Sequence, residues 1–171
     1  LIKRYITAMT EREKEIRERI TREFEVCDRH IIRIKEALDE LSAILPIQCD
    51  KYQTLTSDEV RCLDQFIFRF SKLQDAMGAK LFRYILEHLN EDISSLPMRD
   101  ILNRLERYNI IPSVSEWIYV RELRNEIAHD YPIDDQEVVQ AINELINKTD
   151  LLLEIYKELK KRFYSEEYTG Y

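Results

Sequence analysis

Glycine and proline are scarce in this chain, with two and four among 171 residues. A many-stranded β fold needs a turn every few residues, so this scarcity excludes it and favours long helices with few connections. Cysteine is sparse too. Cys27, Cys49 and Cys62 have no C-x-x-C spacing, which disfavours a zinc site. The odd count, with no secretory signal, leads to the expectation of reduced thiols and a cytoplasmic protein. No run approaches the ~18 apolar residues of a membrane span, so no membrane association is expected. Positive charge is also in deficit: the formal net charge is −7. Proteins that coat nucleic acid are basic because phosphate contacts drive that binding, so this class is disfavoured, although a local phosphate site is not. No Gly-rich phosphate loop, serine-nucleophile motif or strand-borne carboxylate pair is found, and no metal or cofactor is expected.

What remains is 44% apolar and 35% charged, a globular balance too apolar for disorder. The length suits a single domain over 1–171, with a core of about 10–163 and a polar tail at 164–171. No internal repeat or linker interrupts it.

Ile16, Ile20, Phe24, Cys27, Ile31, Ile34, Leu38, Leu41 and Leu45 recur at steps of four and three, which predicts a helix from about Thr10 to Ala43. The run Glu11 to Glu15 reads as its solvated face, and Pro46 as its stop. Thr56 with Glu59 fits a capping box, so a second helix is expected from Ser57. Its apolar face comprises Val60, Leu63, Ile67, Phe70, Met77, Leu81, Ile85 and Leu89, and Gly78 within it suggests a kink or a close backbone contact. A short helix is expected over Pro97 to Tyr108 and a fourth from Ser115 to before Pro132. A final helix, capped by Asp134 or Asp135, should run to about Phe163. The expectation is an all-α, up-down bundle of four to five helices. A first helix of ~34 residues would span ~50 Å. That exceeds what the other helices would cover, so a homodimer is expected.

Chemistry concentrates between Arg121 and Pro132. Trp117, Val120, Arg124, Ile127 and Tyr131 fall at steps of three and four, which puts Arg124 in line with apolar residues. A guanidinium there must snorkel or meet an anion. On physical grounds alone the default partner is a carboxylate of a neighbouring helix; the functional alternative is a phosphate clamp, which the planar fork suits. His129, in the last turn, either interacts with the helix dipole or acts as a general acid or base. Five residues of ideal helix turn ~500°, leaving Arg124 and His129 ~140° apart. Either the helix unwinds at His129, or the two meet across a dimer interface. Asn125 shares a face with His129 and could orient it or bind substrate. Tyr131 reads as a partly buried aromatic, and His30 and His88 as structural or exposed.

Arg124, Asn125, His129 and Tyr131 together resemble the R-N-x3-H-x-Y motif of HepT-like toxins in the HEPN superfamily. The stretch Phe68 to Asp75 also looks similar to helical partners of nucleotidyltransferases. The resemblance implies a metal-independent endoribonuclease that acts on RNA as a homodimer. Arg124 and His129 would be catalytic and Asn125 substrate-positioning. A nucleotidyltransferase antitoxin would silence the toxin, and Tyr131 would be a target for AMP transfer. It equally allows a non-catalytic helical subunit of a nucleotidyltransferase that binds nucleotide or protein.

Overall fold

The computed structural model describes residues 9–129 and 134–169, with side chains for 9–127 and 134–165. These form an all-α bundle, and no strand occurs among the described residues. Helix α1 spans Glu11–Leu41, α2 Cys49–Tyr52, α3 Ser57–Ala76, α4 Phe82–His88, α5 Met98–Arg107, α6 Val114–His129, α7 Asp135–Asn147 and α8 Thr149–Thr169.

Two capping boxes set the starts of the longest rods. The Thr10 hydroxyl accepts from the Glu13 N–H, and the Glu13 carboxylate accepts from the Thr10 N–H. Thr56 and Glu59 repeat the arrangement at α3. Each pair satisfies two donors that a helix start would leave open. The charged face of α1 carries exposed pairs such as Arg19–Glu15 and Arg22–Glu18, which contribute little to stability. Its inner stripe buries Ile16, Ile20, Phe24, Cys27, Ile34 and Leu41, with Ala37 added to it. Burial pushes the Cys27 thiol up to about 12.

Helix α3 lies antiparallel to α1: Cys62 meets Glu40, Gln65 meets the Arg33 carbonyl, and Lys80 meets Glu23. Its buried stripe begins at Leu63 and continues through Phe66, Phe70, Leu73 and Gln74; Val60 is exposed. At Met77–Leu81 the rod opens into a π-helical turn and continues as α4. Gly78 sits in this turn under Trp117, and a Cβ there would lie 3.2 Å from the Trp117 Cζ2. Of the two consequences expected of this glycine, a kink or a close contact, the close contact is present, and it falls within the π turn. Trp117 then packs on Phe82 with ring centroids 4.6 Å apart.

With glycine scarce, asparagine supplies the left-handed residues that end helices. Asn90 (φ 60°) follows α4 and Asn109 (φ 55°) follows α5. In each case the next N–H reaches back to an open helix carbonyl, from Glu91 to Leu86 and from Ile110 to Leu105.

Two expectations are corrected. The four to five helices become eight helical segments among the described residues. The second rod is divided by the π turn, the connection after Pro46 contains α2, and the final helix breaks at Lys148. Lys148 adopts near-αR geometry as the C-cap of α7, and its ammonium is drawn to Glu116 of α6 at 2.8 Å. The break leaves the expected stripe intact: Val138, Ile142, Leu145, Thr149, Leu152, Tyr156, Leu159 and Phe163 are all buried. A further correction concerns length. The 31 residues of α1 are flanked by α3, the π turn and α4 in succession, so α1 has no surplus length demanding a second copy.

Side chains lock the peripheral elements onto this frame. The Asn143 amide of α7 accepts from the Ile47 N–H and donates to the Ile47 carbonyl, holding the α1–α2 connection. The Tyr156 hydroxyl of α8 donates to the Phe24 carbonyl and to Asp28 of α1. Among the described residues no helix is long and apolar enough to cross a membrane.

The contact at Gly78 carries a prediction. Gly78→Val forces two further methyl groups against the indole, and overpacking of this kind costs roughly 1–3 kcal/mol. Urea unfolding should show that loss, whereas a wild-type midpoint would mean that Trp117 can move aside freely.

Candidate functional site

Helix α6 buries Trp117, Val120 and Leu123 against the bundle, which turns position 124 towards α3. The Arg124 side chain is 11% exposed. Its Nε–H donates to the Gln74 Oε1 at 2.8 Å, and an Nη2–H donates to the Asp75 Oδ1 at 2.5 Å. The carboxylate partner expected on physical grounds is therefore present, and a neutral amide joins it. The second terminal nitrogen, Nη1, has no protein partner among the described residues.

Gln74 is 2% exposed and follows Phe70 and Leu73 in the buried stripe of α3. The Arg124 Nε can only donate, so the amide oxygen must face it. That leaves the Gln74 Nε2 buried with no hydrogen-bond partner among the described residues. A buried donor without an acceptor costs about 1–3 kcal/mol. Asp75, by contrast, is 51% exposed, so solvent weakens its pair with Arg124.

Beside this pair is a cavity of about 80 Å³, lined among others by Gln74, Asp75, Gly78, Trp117, Arg121 and Arg124. Arg121 is exposed and has no ion-pair partner among the described residues. A larger hollow of about 510 Å³ lies between the start of α1 and the end of α4, but Glu13, Glu87, Glu91 and Asp92 line it. Carboxylates there repel anions, so the smaller cavity has the better chemistry for phosphate.

The outer face of α3 adds further features. Phe68, two turns before Asp75, is 52% exposed. The Arg69 guanidinium and Lys72 ammonium lie 5.5 and 5.6 Å from its ring centroid. His30 of α1 faces Arg69 at 3.4 Å. Its pKa is lowered by burial and then by Arg69, Arg29 and Lys72. A basic, aromatic patch thus exists on a chain that is acidic overall. His88 packs its ring against Phe163, 5.2 Å between centroids.

The other sequence-predicted residues are distributed along the end of α6. Asn125 is half-buried and makes no hydrogen bond among the described residues. His129 is the last residue of α6, and its side chain lies outside the description. Tyr131 lies outside the described residues. The backbone stays helical from Arg124 to His129, so the helix does not unwind between them. Positions 124 and 129 lie ~140° apart around one axis. Among the described residues no group of three His, Cys, Asp or Glu side chains is placed to hold a metal ion.

Sequence reasoning did not single out Gln74 or Asp75 as partners of Arg124. The signal was a glutamine on an otherwise apolar helical stripe, at the end of the Phe68 to Asp75 stretch.

No protein-family model matches the chain, and neither curated proteins nor solved structures show significant similarity to it.

The asymmetry between the two acceptors can be measured. Arg124→Ala leaves Gln74 buried with neither end satisfied, a loss of roughly 1–3 kcal/mol. Asp75→Asn keeps an oxygen within reach at a half-exposed position and should cost less than about 1 kcal/mol. Equal losses in chemical denaturation would show that Gln74 is not the main anchor.

Proposed function

We propose that the protein is a HepT-like endoribonuclease of the HEPN superfamily, an up-down helical toxin partnered by a nucleotidyltransferase antitoxin. The observation that carries this reading is the contact of Arg124 with Gln74 and Asp75. Two stretches about fifty residues apart, each resembling proteins of such systems, touch through the residue assigned to phosphate. The basic patch at Arg69 and Lys72 supports RNA as the substrate, because it offers local phosphate contacts despite the net charge of −7. Phe68 within it offers a stacking surface.

In this mechanism the RNA 2′-hydroxyl oxygen attacks the adjacent phosphorus and the 5′-oxygen leaves. His129 transfers the protons, and Arg124 stabilises the charge that develops on the phosphorane, with no metal required. Asn125 positions the substrate or the imidazole. The unbroken helix between positions 124 and 129 favours a homodimer in which Arg124 of one copy works with His129 of the other. AMP attached to Tyr131, two residues beyond His129, would add bulk and negative charge where RNA phosphate should bind. The expected setting is the cytoplasm.

The Arg124–Asp75 pair favours a second reading. A guanidinium already met by a carboxylate suits a non-catalytic helical subunit that binds a nucleotide or the nucleotidyltransferase itself.

Cleavage of labelled RNA in excess chelator separates the two. The wild type should cut, and His129→Ala should cut about a hundredfold more slowly or worse, the ordinary scale of acid–base catalysis. Failure of the wild type on several RNA classes, with Tyr131 confirmed unmodified by mass, would leave the binding-subunit reading. Full activity in His129→Ala would remove the mechanism.

A further inference from the structure

We propose that the cavity between α3 and α6 is an oxyanion subsite in which Gln74 donates to one phosphate oxygen, and that the Asp75 carboxylate holds the edge of Arg124 that a second phosphate oxygen would take until ligand arrives. The proposal rests on the reading that Arg124 handles phosphate, and it adds the residues that would shape the pocket.

Gln74 carries the argument. Its oxygen is committed to the Arg124 Nε–H, so its amide N–H groups are the end left over. They are buried and unpartnered, and Gln74 lines the cavity. A helix seam is an unfavourable place for an unsatisfied donor, and a ligand oxygen would satisfy it. Phosphate oxygens are acceptors and carry charge, and the same cavity holds Arg124 and the ion-pair-free Arg121. Donors of three kinds therefore converge: a buried amide, a fixed guanidinium and a solvent-facing guanidinium. Gly78, Ala79, Met98 and Trp117 form the remaining, largely apolar wall.

Among the described residues, Asp75 is the only acidic one lining this cavity. It takes the terminal edge of Arg124 in the geometry that a phosphate oxygen would use. Because it is half-exposed, it can turn into solvent when displaced. A purely structural ion pair and an internal competitor differ in sign. Neutralising a structural partner loosens Arg124 and weakens anion binding, whereas neutralising a competitor strengthens it.

The experiment uses inorganic phosphate and the full chain at constant ionic strength. Binding is read by calorimetry and by the fluorescence of Trp117, the chain's only tryptophan and part of the cavity wall. The wild type should bind saturably. Asp75→Asn should bind about two- to fivefold more tightly, the scale of a solvent-weakened pair. Gln74→Glu keeps the acceptor for Arg124, loses the amide donor and adds a negative charge, so binding should vanish. Gln74→Met serves the same purpose if Gln74→Glu does not fold. No saturable binding by the wild type, or unchanged or weaker binding by Asp75→Asn, overturns the proposal. So does wild-type affinity in both Gln74 variants. Phosphate binding without RNA cleavage would keep the subsite and remove the nuclease. RNA cleavage with an unchanged KM in Gln74→Glu would do the reverse.

Discussion

A guanidinium in line with Trp117 and Val120 has to be met by oxygen, and the region around Arg124 is arranged to meet it. The apolar stripe of α6 faces α3, so Arg124 has only the C-terminal half of α3 within reach. There the buried stripe changes from Leu73 to Gln74, and the exposed flank begins at Asp75. Gly78 lets α6 approach closely: a Cβ at that position would lie 3.2 Å from the Trp117 ring, which would have to shift to admit it.

This arrangement concentrates positive charge locally on a protein that is acidic overall. Net charge governs long-range attraction, but two guanidiniums at a small cavity govern the local field. The positions are stiff. Arg124 and Gln74 project from continuous helices packed on the common core, and such elements hold a site more closely than loops do. The end of α6 differs in this respect, because His129 closes the helix and Tyr131 follows it beyond the described residues. The Arg124 end of the motif is anchored to the core.

Much of the fold was legible because its signals are local. Thr56 and Glu59 marked a helix start through a reciprocal hydrogen-bond pair that needs no tertiary partner. The stripe from Val138 to Phe163 was read residue by residue, since period alone determines which side chains share a face. The break at Lys148 was not legible, because it leaves the apolar period unchanged and no glycine or proline marks it. The length of α1 was weighed without its partner's position, which no period in the sequence gives: α3, the π turn and α4 flank it in succession. At the site, the position of Arg124 on an apolar stripe announced a buried partner. Its identity required knowing which face of α3 lies opposite, and that is set by the α1–α3 and α3–α6 packing together.

The unbroken backbone from Arg124 to His129 is the strongest constraint on how such a site could work, since it sets the two positions ~140° apart around one helix axis. Mixing two inactive variants, Arg124→Ala and His129→Ala, under conditions that exchange subunits tests it directly. If each site draws on two copies, mixed dimers hold one intact site, and ribonuclease activity should recover to about a quarter of wild type. An active wild type with no recovery in the mixture, subunit exchange being verified, would contradict a shared site and place both residues in one chain.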